Sequence, residues 1–125
     1  MVETKFKCSE CLLSCIKAEV ILKRYDSRYK FINHTISSFL ESDEKIRGKE
    51  IPMVRNEKES RIICSNKLDA EIEKEEKFQM ISKSEVIRRS LYRYFEAENE
   101  KELEKKEEEL RRKITEKILG IVDGI

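Results

Sequence analysis

The chain has 125 residues, of which 42% are charged and 38% apolar, and its formal net charge is +1. This near balance of 27 basic and 26 acidic residues excludes a uniformly basic nucleic-acid coat and an acidic solvating tail, so any polarity must be local. Three Gly and one Pro are too few for a turn-rich sandwich or a glycine-rich nucleotide loop. A mainly helical protein remains, in one domain or two very small ones.

The location and source are predicted from composition. No apolar run approaches the about 20 residues that span a bilayer, and the first ten residues lack the apolar core of a signal peptide. We therefore predict a cytoplasmic protein that does not bind a membrane. Lys and Glu dominate over Asn and Gln, a bias that is seen in heat-adapted proteins. A thermophilic source matters for the cysteines, because hyperthermophile interiors can hold disulfides whereas most cytosolic thiols stay reduced.

The chain divides into four segments, and no internal repeat is visible. We predict a mainly α protein with one short β-strand per chain. The segments are a cysteine-containing helical module at 1–48, a linker at 49–59, a core at 60–95 and a charged helical, coiled-coil tail at 96–125.

The first segment is predicted to hold two helices. Apolar residues at helical spacing indicate a helix from about Ser9 to Tyr25, although a strand over Ala18–Tyr25 remains an alternative. Asp26 or Ser27 can cap a second helix. Gly48 is a suitable stop, because glycine adopts the left-handed terminal conformation at little cost. The apolar stripe of this second helix would contain Phe31, Ile32, Ile36, Phe39 and Leu40.

The middle of the chain contains the strongest strand signal, the β-branched run Arg61–Cys64. A second short run, Ile51–Arg55, contains Pro52 and is therefore an edge strand or part of the linker. A helix over Leu68–Lys77 is favoured by propensity. Ser82 followed three residues later by Glu85 is a capping box, which predicts that a basic helix begins there.

The basic helix carries a family resemblance. The sequence ISKSEVIRRSLYRYFE resembles the second helix of the ribbon-helix-helix family of DNA-binding dimers, through Ser82, Ser84, Ile87, Arg88 and Leu91. The resemblance covers residues 60–95. It implies that RIICSNKL is the ribbon strand, that two chains pair their strands antiparallel, and that the ribbon enters the major groove.

The resemblance also implies roles for individual residues. If Ile62 and Cys64 point inward, then Arg61, Ile63 and Ser65 point toward DNA, because strand side chains alternate. The other implied DNA-binding residues lie at or near the start of the basic helix, where backbone amides favour phosphate. They are Ser82, Lys83, Ser84 and Arg88.

Two alternatives to this interpretation stay open. In a shifted register, Lys77–Ile81 is the strand and Ser82–Glu96 is the first helix. Otherwise the basic segment is an ordinary amphipathic helix with a good cap, whose arginines form a solvated face. Short motifs of this kind occur by chance in unrelated chains.

The cysteines suggest a metal site. Cys8 and Cys11 have the Cys-x2-Cys spacing that can supply two ligands to zinc. The remaining ligands would be Cys15 and His34, with Cys64 as the substitute. An iron–sulfur cluster would lack a placed fourth ligand. The alternative is that the cysteines are buried or redox-active thiols, since Cys is among the residues most often buried.

We therefore predict a sequence-specific DNA-binding transcriptional regulator that acts as an obligate homodimer, because a lone strand leaves its backbone groups unpaired. The carboxylates lie in solvated Lys/Glu runs, without an apolar pocket to raise a pKa, so no enzymatic activity or small-molecule substrate is expected. The rival is a protein-interaction adaptor with a cysteine-bearing head, a candidate zinc site, on a coiled-coil stalk. Its stalk would use the narrow apolar seam of the tail, which contains Leu103, Leu110, Ile114, Ile118, Ile121 and Ile125.

Overall fold

A computed structural model describes the backbone of residues 1–51 and 58–123, and side chains up to residue 120. It confirms a mainly helical protein, but the described residues form two strands, where the sequence had predicted one. The elements in chain order are β1 (Val2–Cys8), α1 (Glu10–Lys23), α2 (Arg28–Leu40), α3 (Glu44–Arg47), β2 (Lys58–Cys64), α4 (Asn66–Gln79), α5 (Lys83–Tyr94) and α6 (Glu100–Asp123).

The two strands form an antiparallel ribbon within one chain. Lys5 lies opposite Arg61 at its centre, and Val2 and Cys8 of β1 lie opposite the last and first residues of β2. The predicted strand at Arg61–Cys64 is confirmed, whereas the prediction of one strand per chain is wrong, because residues 2–8 form a second strand. Residues 2–8 alternate between outward charged side chains and the inward Val2, Thr4, Phe6 and Cys8, which is the pattern of a half-buried strand.

Each strand is followed by two helices with the same capping devices. Ser9 after β1 and Ser65 after β2 each accept the N–H three residues on, at 3.1 Å in both cases. Helices α1 and α4 are both 14 residues long, and both end on a left-handed residue, Arg24 with φ 54° and Met80 with φ 57°. The chain therefore contains two strand–helix–helix units, an internal repeat that was not predicted from the sequence.

We call β1, α1 and α2 the first unit and β2, α4 and α5 the second unit. The second helix of each unit packs on the strand of the other unit, and the two second helices pack on each other. Their inward side chains share one hydrophobic core with the inner face of the ribbon. The fully buried members include Phe6, Ile32, Ile36, Ile62, Ile87 and Leu91. The two units are thus interlocked, so neither has a core of its own.

The tail helix α6 packs on α1. Leu103 and Leu110 of the predicted apolar seam are buried, Ile114 is partly buried, and Ile118 and the neighbouring Leu119 are exposed. The first part of the seam therefore meets a helix of the same chain. No described helix is both long enough and apolar enough to cross a membrane.

Several smaller expectations are now decided. Residues 10–23 form a helix, so the alternative strand at Ala18–Tyr25 is wrong, and Ser27 is the residue that caps α2. The shifted strand at Lys77–Ile81 is wrong because α4 continues to Gln79. Gly48 ends α3 with φ −76°, so its stop does not use the left-handed conformation. Most of the proposed strand Ile51–Arg55 lies outside the described residues.

Candidate nucleic-acid interface

The ribbon presents one face to the core and the other to solvent. Ile62 and Cys64 are fully buried on the inner face, together with the inward residues of β1. Arg61 and Ile63 point outward, and Lys5 lies beside Arg61. The outward side chains of the two strands are Glu3, Lys5, Lys7, Glu59, Arg61 and Ile63.

The charges of this outer face are paired in a symmetric way. Lys5 and Arg61 are directly opposite each other, an arrangement that is unfavourable for like charges. Each is relieved by an acidic residue of the opposite strand, with Lys5 Nζ 3.7 Å from Glu59 and Arg61 Nη1 3.3 Å from Glu3. All four side chains are about half exposed, so these ion pairs are weak and a phosphate could replace the carboxylates. With Lys7, the face carries three basic and two acidic side chains.

Side chains of the two second helices, α2 and α5, donate hydrogen bonds to the backbone of the ribbon. Arg88 Nη1 donates to the carbonyl oxygen of Lys7 at 2.9 Å, and Asn33 Nδ2 donates to the carbonyl oxygen of Ile63 at 2.8 Å. Asn33 and Arg88 occupy the same position after their caps in the two units, and so do Lys7 and Ile63 before theirs. Arg88 is only 4% exposed, so it positions the ribbon instead of facing DNA as the sequence had suggested.

The start of α5 lies beside the end of β1. Ser84 Oγ accepts the backbone N–H of Lys7 at 3.2 Å, and the cap residue Ser82 accepts the N–H of Glu85 at 3.1 Å. The backbone N–H of Lys83, which was expected to hold phosphate, donates to Glu76 Oε2 at 3.0 Å. A carboxylate of the chain thus already occupies part of the predicted phosphate clamp. Ser65 likewise uses its hydroxyl oxygen as a helix cap.

The side chain of Lys83 is paired as well. Its Nζ lies 2.9 Å from Glu73 Oε1 and 3.4 Å from Asp69 Oδ1. The hydrogen bond with Glu73 raises the pKa of Lys83, with burial opposing and Asp69 adding to the rise. At the corresponding position of the first unit, Arg28 is exposed and lies over the Tyr29 ring, 5.4 Å from its centroid. The start of α2 therefore exposes a cation where the start of α5 has a neutralised one.

The structure separates the predicted metal ligands. Cys8 and Cys64 are fully buried in the core, and His34 is exposed on α2. Among the described residues, the metal-ligating atoms that come together are those of Cys11, Cys15 and Glu107, within 4.8 Å of one another. The sequence gave no hint of Glu107, which stands in a run of similar Lys and Glu residues. No disulfide joins any of the described cysteines.

The two clustered thiols are held protonated by their surroundings. Burial raises the pKa of Cys15 to about 12, and the charge of Glu107 adds to the rise. Burial and a hydrogen bond with Glu107 also raise the pKa of Cys11. Cys15 Sγ donates to the Leu103 carbonyl oxygen at 3.8 Å. Neither thiol therefore has the low pKa of a reactive nucleophile.

The sequence interpretation missed the basic residues of β1, Lys5 and Lys7, and the ribbon-holding Asn33. One signal could have found them. In KFKCSECL and RIICSNKL, an alternating segment is followed by Cys-Ser and then by a leucine three residues after the serine. This shared pattern marks the end of a strand and the capped start of a helix at two places in the chain.

Comparison of the chain with protein-family models, with curated proteins and with solved structures found no match.

Proposed function

We propose that this chain is a sequence-specific DNA-binding regulator of the ribbon-helix-helix type, in which a single chain supplies both strands of the ribbon. The observation that supports it best is the antiparallel pairing of β1 with β2, centred on Lys5 and Arg61, with a polar outer face and an apolar inner face. A two-stranded ribbon is narrow enough for the major groove of B-form DNA.

The proposed contacts follow from which side chains face outward. Arg61 would form the paired hydrogen bonds with guanine for which its planar side chain is suited, and Lys5 would contact the neighbouring base pair. Lys7, near the end of β1, would contact one phosphate, and Arg28, at the start of α2 beside the end of β2, would contact another at the opposite end of the ribbon. Binding would exchange the weak ion pairs of Lys5 and Arg61 with Glu59 and Glu3 for contacts with DNA.

The single-chain ribbon changes the expected assembly. The sequence-based reason for an obligate dimer was an unpaired strand, but β1 provides the backbone partners of β2 within the same chain. One chain can therefore form a complete reading ribbon. Homodimerisation stays a prediction, and in this proposal it would place two ribbons on one longer site.

The two strands would read different bases. At equivalent positions the outer face carries Lys5 on β1 and Arg61 on β2, and Lys7 on β1 and Ile63 on β2. A ribbon made by two identical chains would present identical half-ribbons and would favour a palindrome. We therefore expect the site of one chain to be non-palindromic.

Selection from a pool of randomised duplexes, followed by affinity measurements at two salt concentrations, tests the proposal. Arg61→Ala should cost about 1–3 kcal/mol at the selected site and relax the preference at one base pair. Lys7→Ala should weaken binding to all sequences alike and lower the salt slope by about one unit. Lys105→Ala, which removes an exposed cation on α6, is the control and should change neither.

Absence of salt-dependent binding to any duplex would overturn the proposal, because phosphate contacts make affinity fall steeply with salt. A palindromic selected site would contradict the proposal that both strands of the DNA-binding ribbon come from one chain.

The adaptor function remains the second candidate, because Ile118 and Leu119 near the end of α6 are exposed to 58% and 54%. Such a helix end could bind a partner helix without any nucleic acid. In that case Ile118→Glu would abolish partner binding, and Arg61→Ala would leave it intact.

A further inference from the structure

Two thiols of α1 and a carboxylate of α6 lie close together between these two helices. Cys11 and Cys15 lie one turn apart on α1, and therefore on the same face of that helix. Glu107 reaches them from α6, so that two sulfurs and a carboxylate oxygen lie within 4.8 Å of one another. Cys15 is buried, and Cys11 and Glu107 are half-buried.

We propose that Cys11, Cys15 and Glu107 bind a thiophilic divalent cation of the zinc class, which fastens α6 to α1. Zinc binds thiolate at about 2.3 Å and carboxylate at about 2.0–2.2 Å, so tetrahedral ligands lie about 3.3–3.8 Å apart. Separations of up to 4.8 Å exceed this range by at most about 1–1.5 Å, which small side-chain rotations would close.

The chemistry of the donors selects the ion. Two thiolates favour zinc, cobalt or cadmium over magnesium and calcium, which prefer oxygen ligands. Binding displaces the two thiol protons and competes with Arg111, whose Nη2 lies 2.7 Å from Glu107 Oε1. Three protein ligands leave the fourth tetrahedral position to water.

The second unit offers an internal comparison for this site. The positions that Cys11 and Cys15 occupy after the cap of α1 are occupied in α4 by Lys67 and Glu71. The two thiols thus occur in the unit that α6 covers, and a lysine and a glutamate replace them in the other unit. This inference is independent of DNA binding, because none of the three ligands faces outward from the ribbon.

The test uses the full chain, reduced and freed of metal. Zinc affinity and stoichiometry are measured by competition with a chromophoric chelator, and cobalt is used as the spectroscopic probe. We expect one zinc per chain, a sulfur-to-cobalt charge-transfer band, and a higher Tm with zinc. Cys11→Ser and Cys15→Ser should each lower zinc affinity by about 10–100-fold or more, since even the hydrogen-bond partners of ligands contribute that much.

Two further variants keep the result interpretable. Glu107→Gln retains both thiols, so it should keep a weakened charge-transfer band but lose the zinc-dependent rise in Tm. Glu108→Gln changes an exposed neighbour on α6 and should behave as the unaltered chain. Zinc affinity that is the same in the unaltered chain and in Glu107→Gln would overturn the three-ligand site. Absence of stoichiometric zinc in the unaltered chain would overturn the proposal altogether.

Discussion

The two strand–helix–helix units share a backbone plan but differ in what covers their first helices. Helix α1 is covered by α6, and the side chains on its covered face include Cys11 and Cys15. Helix α4 carries Lys67 and Glu71 at the same positions. The strands, the serine caps and several buried positions of the second helices correspond, whereas the outer faces of the first helices differ.

This contrast separates the buried residues that form the fold from the outward residues that differ between the units. The inner faces have to satisfy one shared core, so Ile32 in α2 and Ile87 in α5 occupy matching buried positions. The outer faces are under no such constraint, because solvent or an added helix can cover them equally well. The first unit could thus acquire a tail helix and a cysteine pair without any change to the ribbon that both units hold.

The largest expected effect tests whether the two units are interlocked. Ile32 and Ile87 are both 0% exposed, and both stand five residues after a serine cap. Ile32→Ala and Ile87→Ala should each lower the free energy of unfolding by about 2–5 kcal/mol, through lost burial and the cavity that remains. Urea denaturation followed by circular dichroism measures both losses.

Because each second helix packs on the strand of the other unit, either variant should unfold the whole protein in one transition. Two separate transitions, or a loss in one variant only, would contradict the shared core. Ile118→Ala changes an exposed isoleucine on α6 and serves as the control, with an expected change within about 0.5 kcal/mol.

Much of the second unit could be predicted from the sequence, because its signals are local. The β-branched run before Cys64 and the serine cap at Ser82 depend on neighbours within four residues. Strand β1 was missed although its alternation is as regular, since its inner face mixes Val2 and Phe6 with the less apolar Thr4 and Cys8. Its pairing with β2 joins residues 50 or more positions apart, which no local pattern reveals.

The candidate sites were harder to predict for the same reason. Arg88 looked like part of a solvated basic face, but its partner is the Lys7 carbonyl oxygen, 81 residues away. Arg89 is similarly buried, with the Arg47 carbonyl oxygen as one partner. A buried arginine is tolerated only where such acceptors exist, and these acceptors are supplied by tertiary structure. Glu107 became a candidate ligand only through the packing of α6 on α1.

A smaller effect is expected for the two side chains that hold the ribbon. Arg88→Met keeps most of the aliphatic stem but removes a charged donor, so it should cost about 1.5–3 kcal/mol. Asn33→Ala removes a neutral donor from a half-buried site and should cost about 0.5–1.5 kcal/mol. Urea denaturation gives both values, and Arg93→Met, on the exposed face of α5, is the control. An equal or reversed order would contradict the larger contribution that is expected of the charged donor, Arg88.

The smallest expected difference concerns the caps that follow the two strands. Ser9 and Ser65 make the same hydrogen bond at the same length, but Ser9 is 6% exposed and Ser65 is exposed to solvent. Replacing either with alanine should cost about 1 kcal/mol, as is usual for a serine cap. Ser9→Ala should be the more costly of the two, because water can reach the N–H that Ser65→Ala exposes but not the one beneath Ser9. Thermal denaturation should therefore show the lower Tm for Ser9→Ala. Ser9→Asp and Ser65→Asp both keep an acceptor at the cap. Of these two, Ser65→Asp should recover most of the loss, because its carboxylate stays in contact with solvent. Equal losses at the two serines would contradict this prediction, because they would mean that solvent reaches the starts of α1 and α4 equally well.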